Sequence, residues 1–261
     1  MRKFPVLVIL SCCFIVAYFL DPCQIFFQEE CLRLFLFLFE DQNNNLEHYL
    51  KALSEVWHFH PNKVIRLRPL KPVNGTVKVV EFTSTIYTEG PYPKKFRTPD
   101  NKHIWVTPDG EVKEMCRKWK LKGRRLRKRL IQLLGLKPET KYTHFVTFSV
   151  PVELVFRPAV DPDPTRLYPC ENPVDTLCGR IFPKDIFEDH LIFFIQTTNL
   201  SFGDEKEQHK GGVPWTQLGY TYDWHPENEL IYGASEYVIT PNSEVEILDR
   251  VPMDKYCNSI V

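Results

Sequence analysis

A segment near the C-terminus combines large aromatic side chains with carboxylates and a histidine. It runs from Gly211 to Tyr237. Aromatic rings form flat apolar walls, and a few polar groups among them orient a flat ligand such as a sugar ring, a nucleobase or a nicotinamide. The spacing of the aromatics fits a packed core strand equally well. The predicted ligand contacts in this segment are Trp215, Tyr220, Tyr222, Trp224 and His225.

Two carboxylates of the same segment, Asp223 and Glu236, are the candidate catalytic residues. A pair of carboxyl groups around a sugar is the arrangement of glycoside hydrolases, in which one acts as acid and the other as base or nucleophile. In a binding protein the same groups would only hydrogen-bond the ligand. The sequence therefore leaves open whether the protein is an enzyme, with ligand or partner binding as the favoured function.

Three short sequence segments occur in an order that resembles the order of motifs in the ADP-ribosyltransferases. They are a basic strand with Arg68, the string Thr83-Ser84-Thr85, and Glu236 at the start of a late strand. The resemblance implies that Arg68 binds the phosphates of NAD, that Ser84 shapes the nicotinamide pocket, and that Glu236 stabilises the ribosyl cation. The chain departs from the family's Glu-x-Glu, because Ala234 stands two residues before Glu236.

Other kinds of chemistry have no sequence support. There is no Gly-x-Ser-x-Gly motif for a nucleophilic serine and no glycine-rich phosphate loop. No Cys-x-x-Cys or His-x-x-x-His spacing is present, so we predict no metal site. On this basis we predict no cofactor, and NAD enters only as the substrate of the transferase alternative.

The cysteines predict disulfide bonds. Of the eight cysteines, Cys12 and Cys13 lie in an apolar N-terminal run, which leaves six in the rest of the chain. Six cysteines allow fifteen pairings. The first predicted pair closes a short loop rich in Pro, Asp and Asn, which has few other means of holding its shape. In order of preference the pairs are Cys170 with Cys178, Cys23 with Cys31, and Cys116 with Cys257.

The N-terminus has the composition of an export signal. Arg2 and Lys3 precede an apolar run over residues 4–20. This pattern is typical of a signal peptide, and its length is marginal for crossing about 30 Å of hydrocarbon. We therefore predict an exported protein, either secreted or held in the membrane or cell envelope by an uncleaved anchor. A lipoprotein site at Cys12 is a further alternative.

Composition favours an α+β fold with an antiparallel or mixed sheet and two main amphipathic helices. The 21 prolines outnumber the 11 glycines, which favours short strands over long helices. Apolar periodicity predicts helices over residues 46–57 and 111–134, and alternation predicts strands such as 77–83 and 103–107. The predicted organisation is a signal or anchor (1–22), an apolar then polar linker (23–45) and one exported domain (46–261).

The second predicted helix is strongly basic over residues 117–129. Such a helix can lie on an anionic membrane or bind a polyanion, although a solvated face matched by acidic loops would look the same. The whole chain carries 33 basic and 33 acidic residues, so its net charge gives no indication of nucleic acid binding. The ligand or envelope partner itself is not identified by the sequence.

Overall fold

The computed structural model describes residues 45–56, 63–85, 87, 91–202, 212–228 and 230–258. The N-terminal apolar run, Cys23 and Cys31 lie outside these residues, so the signal, the anchor and the Cys23–Cys31 bond stay predictions. The chain divides into two units, Met1–Glu47 and His48–Val261, and the features below belong to the second. Within the described ranges no helix is both long and apolar enough to cross a membrane.

Helices and an antiparallel sheet together confirm the predicted α+β class. In chain order the elements are α1 (45–56), β1 (Thr76–Thr83), β2 (Lys94–Arg97), β3 (Ile104–Pro108), α2 (Glu111–Trp119), α3 (Gly123–Leu133), β4 (His144–Pro151), β5 (Val155–Phe156), α4 (Glu188–Phe202), β6 (Tyr220–Tyr222), β7 (Tyr232–Ser235), β8 (Tyr237–Ile239), β9 (Glu244–Pro252) and α5 (Met253–Asn258).

The main sheet has the strand order β2-β9-β4-β1-β3-β8-β5, and its described pairings are antiparallel. Successive side chains of a strand point to opposite faces. On β1, Val77 and Val79 belong to one apolar core, whereas Val80 and Phe82 belong to another. The two faces of the sheet are therefore both covered, and helices α1, α2, α3 and α5 contribute to the second core.

The predicted helix over residues 111–134 is two helices, so this prediction was wrong in detail. Lys120 adopts a left-handed conformation with φ of 53° and ends α2, and Lys122 is extended before α3 begins. A continuous helix would place Lys118 beside Lys122 and Lys120 beside Arg124, four positions apart. Like charges at that spacing destabilise a helix. The break separates these pairs, and both helices then pack on α5.

Arg157 anchors the long irregular segment between β5 and α4. Its side chain is fully buried, and its guanidinium donates hydrogen bonds to the carbonyl oxygens of Tyr168, at 2.7 Å, and of Arg166. Gly219 packs directly on this side chain: a Cβ there would lie 2.5 Å from Cδ of Arg157, and its φ is +79°. Position 219 therefore requires glycine both sterically and conformationally.

The described residues contain two disulfide bonds, which confirms the prediction of disulfide bonding. Cys116 pairs with Cys257 and ties α2 to α5. Cys170 pairs with Cys178 within the irregular segment. The first bond links positions 141 residues apart, and the second links positions 8 residues apart. The first bond therefore removes more conformational entropy from the unfolded chain than the second.

We expect the double variant C116A/C257A to lose more stability than C170A/C178A. The chain-entropy model gives about 5 kcal/mol for the longer loop and about 2.5 kcal/mol for the shorter one. Urea unfolding under non-reducing conditions measures both, and each variant is the other's control because each removes two sulfur atoms. Equal losses in the two variants would contradict the expectation.

Candidate functional site

A cavity of about 260 Å³ lies beside the helix-covered face of the sheet. Residues from β1 and β3, from the chain just after α3 and from the segment before β6 line it. Its walls are mainly apolar and aromatic, which is typical of sites for small organic ligands. The aromatic residues that line it are Phe82, Trp105, Tyr142, Phe145, Trp215 and Tyr222.

Glu236 lines this cavity and stands immediately before β8. Tyr237 and Ile239 belong to the core on the other face of the sheet, so alternation places Glu236 on the face that carries Trp105. Its backbone N–H donates to the carbonyl oxygen of Gly219 at 2.9 Å. The β8 pairing and this bond together hold the carboxyl group at the cavity.

The carboxyl group of Glu236 is poorly solvated. The residue as a whole is half-buried, but its Oε2 atom is enclosed and has no hydrogen-bond partner. Burial raises the pKa of Glu236 to about 8, because the charged form loses its hydration. At neutral pH the group is therefore mostly a neutral acid, which can both donate and accept a hydrogen bond.

Trp215 contributes a second unpaired polar atom. Its side chain is 4% exposed, and its indole N–H is buried without an acceptor. The ring meets Trp105 edge to face at 6.2 Å between centroids and packs on Phe194 of α4 at 5.0 Å. The helix α4 therefore fixes one wall of the cavity.

Other polar side chains around the cavity already have partners. The hydroxyl of Thr221 donates to the carbonyl oxygen of Leu133 at 2.7 Å, and that of Tyr222 donates to Oε2 of Glu55 at 3.0 Å. Burial raises the pKa of Glu81 to about 7, although the hydroxyl of Tyr87 donates to its carboxyl at 2.5 Å. These groups therefore already have hydrogen-bond partners, unlike Oε2 of Glu236 and the indole N–H of Trp215.

Three of the residues predicted from the sequence line the cavity: Trp215, Tyr222 and Glu236. Asp223 does not. It is 2% exposed, and its two carboxyl oxygens accept hydrogen bonds from Arg129 at 2.9 and 2.6 Å. The guanidinium of Arg129 also stacks on Trp119 at 4.5 Å. The structure thus does not bring Asp223 and Glu236 together in one site.

The remaining aromatic candidates make structural contacts outside the cavity lining. The hydroxyl of Tyr220 donates to the carbonyl oxygen of Lys63 at 2.8 Å, and the indole N–H of Trp224 donates to that of Leu136 at 3.1 Å. His225 lies in a turn beside Asp223, and burial lowers its pKa. Tyr220 and Trp224 are buried, so for these two residues the aromatic pattern reflects a packed core.

The two other residues of the transferase resemblance also lie away from the cavity lining. The guanidinium of Arg68 pairs with the carboxylate of Glu114, with a shortest distance of 2.5 Å. The segment around Arg68 is not the predicted strand, but the backbone N–H of Arg68 donates to Oγ of Ser235 at 2.8 Å, so it does adjoin the residue before Glu236. Ser84 is exposed in a bend after β1.

The sequence did not single out the residues that β3 adds to the cavity. His103, just before β3, and Trp105 and Thr107 on β3 occupy alternate positions and line the cavity. Burial lowers the pKa of His103, so its ring is neutral at pH 7. The alternation of polar and aromatic residues in His103-Ile104-Trp105-Val106-Thr107 was the available signal.

The basic region lies at the surface: six of the thirteen residues 117–129 are exposed, six are half-buried and only Leu126 is buried. Within the part of the chain that the structure describes, several of its side chains form no ion pair: Lys120, Lys122, Arg124, Arg125 and Arg127. The described residues also contain no group of three or more His, Cys, Asp or Glu that could hold a metal ion. Contact of residues 117–129 with an anionic membrane or polyanion stays a prediction.

Comparisons with protein-family models, with curated proteins and with solved structures find no match to this chain. The geometry of the cavity and the chemistry of its lining are therefore the observations from which a function is inferred.

We expect E236Q to reduce the pH dependence of folding stability. Because the folded pKa of Glu236, about 8, exceeds its ordinary value of 4.5, the native state retains a proton that the unfolded chain releases between these values. Raising the pH across this interval should lower the free energy of unfolding of the wild type by ~1.4 kcal/mol per unit relative to E236Q.

The difference in free energy of unfolding between the wild type and E236Q should become constant above the folded pKa of Glu236. Urea unfolding of both proteins in one-unit pH steps measures it. Glu81 also titrates in this interval, but it does so in both proteins, so its contribution cancels in the comparison. Parallel pH curves for the two proteins would show that Glu236 is ionised in the native state.

Proposed function

We propose that this protein binds a small planar ligand in the cavity beside Glu236. The observations that carry the proposal are a cavity with largely aromatic walls and, among its lining residues, Glu236, one of whose carboxyl oxygens is buried without a partner. A buried polar atom without a partner costs free energy, and ligand-binding sites are places where such a cost is accepted. A ligand with a hydrogen-bond donor would relieve it.

The volume of the cavity limits the size of the enclosed group. A dry cavity of about 150 Å³ already admits a benzene ring. The cavity of about 260 Å³ therefore accommodates one substituted ring, whereas a dinucleotide would have to extend beyond it. The proposed ligand is accordingly a single ring, or a larger molecule that inserts one ring.

The surroundings of Asp223 favour binding over glycoside hydrolysis. A carboxylate-pair hydrolase needs two carboxyl groups flanking the scissile bond. Both oxygens of Asp223 are bonded to Arg129, and Asp223 is not among the residues that line the cavity. Glu236 is thus the predicted catalytic residue that remains available, and a lone carboxyl group is sufficient for recognition.

One observation supports an enzyme as the second candidate. Glu236, the residue to which the ADP-ribosyltransferase resemblance assigns stabilisation of the ribosyl cation, lies at a cavity sized for one nicotinamide ring. The proposed reaction transfers the ADP-ribosyl group of NAD to an acceptor nucleophile such as water: the N-glycosidic bond breaks, nicotinamide leaves, and the ribosyl carbon bonds to the acceptor. Release of nicotinamide from NAD by the wild type, reduced about a hundredfold or more in E236Q, would support it. Undiminished release in E236Q would refute it.

We also propose that the domain acts outside the cytoplasm. The two disulfide bonds support this location, because such bonds persist mainly in oxidising compartments. Secretion and anchoring in the membrane or envelope are both compatible with the apolar run over residues 4–20, which lies outside the described residues.

Ligand binding in the cavity should depend on Trp105. We expect W105A to weaken the binding of aromatic fragments by roughly tenfold or more, because a large part of the aromatic wall is lost. Isothermal titration of the full chain with a set of single-ring compounds measures this effect. W119A is the matched control, since Trp119 stacks on Arg129 and is not among the residues lining the cavity.

The control should retain wild-type affinity within about twofold, since each aromatic contact acts locally. Equal losses in W105A and W119A would place the binding elsewhere. Failure of all single-ring compounds to bind the folded wild type would refute the proposed function.

A further inference from the structure

We infer that the surface around the turn between α2 and α3 binds a linear sulfated polysaccharide. This surface contributes none of the residues that line the cavity, so the inference goes beyond the proposed ligand binding. The choice of a polysaccharide does rest on the proposed location outside the cytoplasm. The basic patch is defined by five residues within eight positions: Lys120, Lys122, Arg124, Arg125 and Arg127.

The basic patch faces solvent. Four of its five residues are exposed, and Arg127 is half-buried. Leu126 and Leu130 of the same helix are buried in the core, so α3 presents its charged side outward. A helix rises about 1.5 Å per residue, so the three arginines lie along roughly 5 Å of the helix axis. The charges are therefore concentrated on a small area.

The position of these charges opposes the dipole of their own helix. The N-terminus of a helix carries a partial positive charge, which favours acidic side chains and disfavours basic ones. The first turn of α3 contains no acidic residue, and Lys122 at the N-cap is followed closely by Arg124 and Arg125. Local features that work against stability are expected where function determines the residues. A bound anion would offset this repulsion.

Neighbouring carboxylates do not form ion pairs with the basic patch. Glu114 of α2 pairs with Arg68, and Asp254 of α5 accepts a hydrogen bond from the backbone N–H of Gly123 at 2.8 Å. Among the residues that the structure describes, none of the five cations has an ion pair. Neutralisation by acidic loops is therefore not observed there.

The exposed residues of the region favour a sulfated polymer over a bilayer or a single-stranded nucleic acid. Within 117–129 they are Lys118, Lys120, Lys122, Gly123, Arg124 and Arg125. An interfacial helix inserts an apolar face into lipid, and single-stranded nucleic acids stack on aromatic side chains. None of these exposed residues is apolar and large, or aromatic. Closely spaced lysines and arginines are typical of heparin-binding segments, and the guanidinium fork matches oxyanions.

The test is isothermal titration of the full chain with heparin. We expect the triple variant K122Q/R124Q/R125Q to bind heparin roughly tenfold or more weakly than the wild type at 50 mM salt, because three charge contacts are lost. The matched control K71Q/K78Q/K184Q removes three exposed lysines outside residues 117–129 and should stay within about threefold of the wild type. Raising the salt to 200 mM should weaken wild-type binding roughly thirtyfold or more.

The triple variant should remain folded, because it removes charges that the dipole of α3 disfavours. A melting temperature equal to or above that of the wild type checks this. The double variant K120Q/R127Q removes the other two cations of the basic patch and should weaken heparin binding roughly fivefold or more. It keeps the inference testable if the triple variant does not fold.

The outcomes separate this inference from the other proposals. Absence of heparin binding at 50 mM salt, or equal losses in the triple variant and its control, would overturn it. Tighter binding of duplex DNA or of phosphatidylserine vesicles than of heparin, lost in the triple variant, would assign the basic patch to that partner and also overturn it. Neither result affects ligand binding in the cavity, which W105A tests.

The location has a separate test. Recovery of the protein from its native cells with free thiols at Cys170 and Cys178 would refute the location outside the cytoplasm. The choice of a polysaccharide would then fail whatever the heparin affinity. Recovery with both disulfide bonds formed, together with heparin binding that the triple variant loses, is the result we expect.

Discussion

Burial of the central sheet on both faces is the constraint on which the rest of the molecule depends. Val77 and Val79 of β1 face one apolar core, and Val80 and Phe82 face the other. A polar side chain that lies beneath either core is shielded from bulk water. Glu236, which immediately precedes β8 and adjoins the pairing of β8 with β3, is desolvated for this reason. The chemistry of its carboxyl group is thus a consequence of the layer architecture.

The cavity is assembled from parts of the chain that are far apart in sequence. The strand β3 supplies Trp105, and the segment before β6 supplies Trp215. Helix α4 packs Phe193 against both tryptophans and Phe194 against Trp215. Its shape therefore depends on the packing of α4 as much as on the sheet.

Local patterns explain what could be predicted from the sequence. Alternation marked the strand over residues 77–83, and the short Pro-rich loop marked the Cys170–Cys178 pair. Asp223 was selected as catalytic because a carboxylate among aromatics looks functional. Its partner Arg129 lies 94 positions away, and no local pattern shows such a contact. The contribution of β3 was missed for the same reason, because it requires knowing that β3 pairs with β8.

Arg157 binds the irregular segment through the carbonyl oxygens of Arg166 and Tyr168. Every residue type provides a main-chain carbonyl, so this attachment does not depend on which side chains stand at positions 166 and 168. The fork of a guanidinium reaches two such oxygens at once, which a lysine amine does less well. Related chains can therefore diverge freely at both positions while retaining the attachment, provided that arginine remains at 157 and glycine at 219.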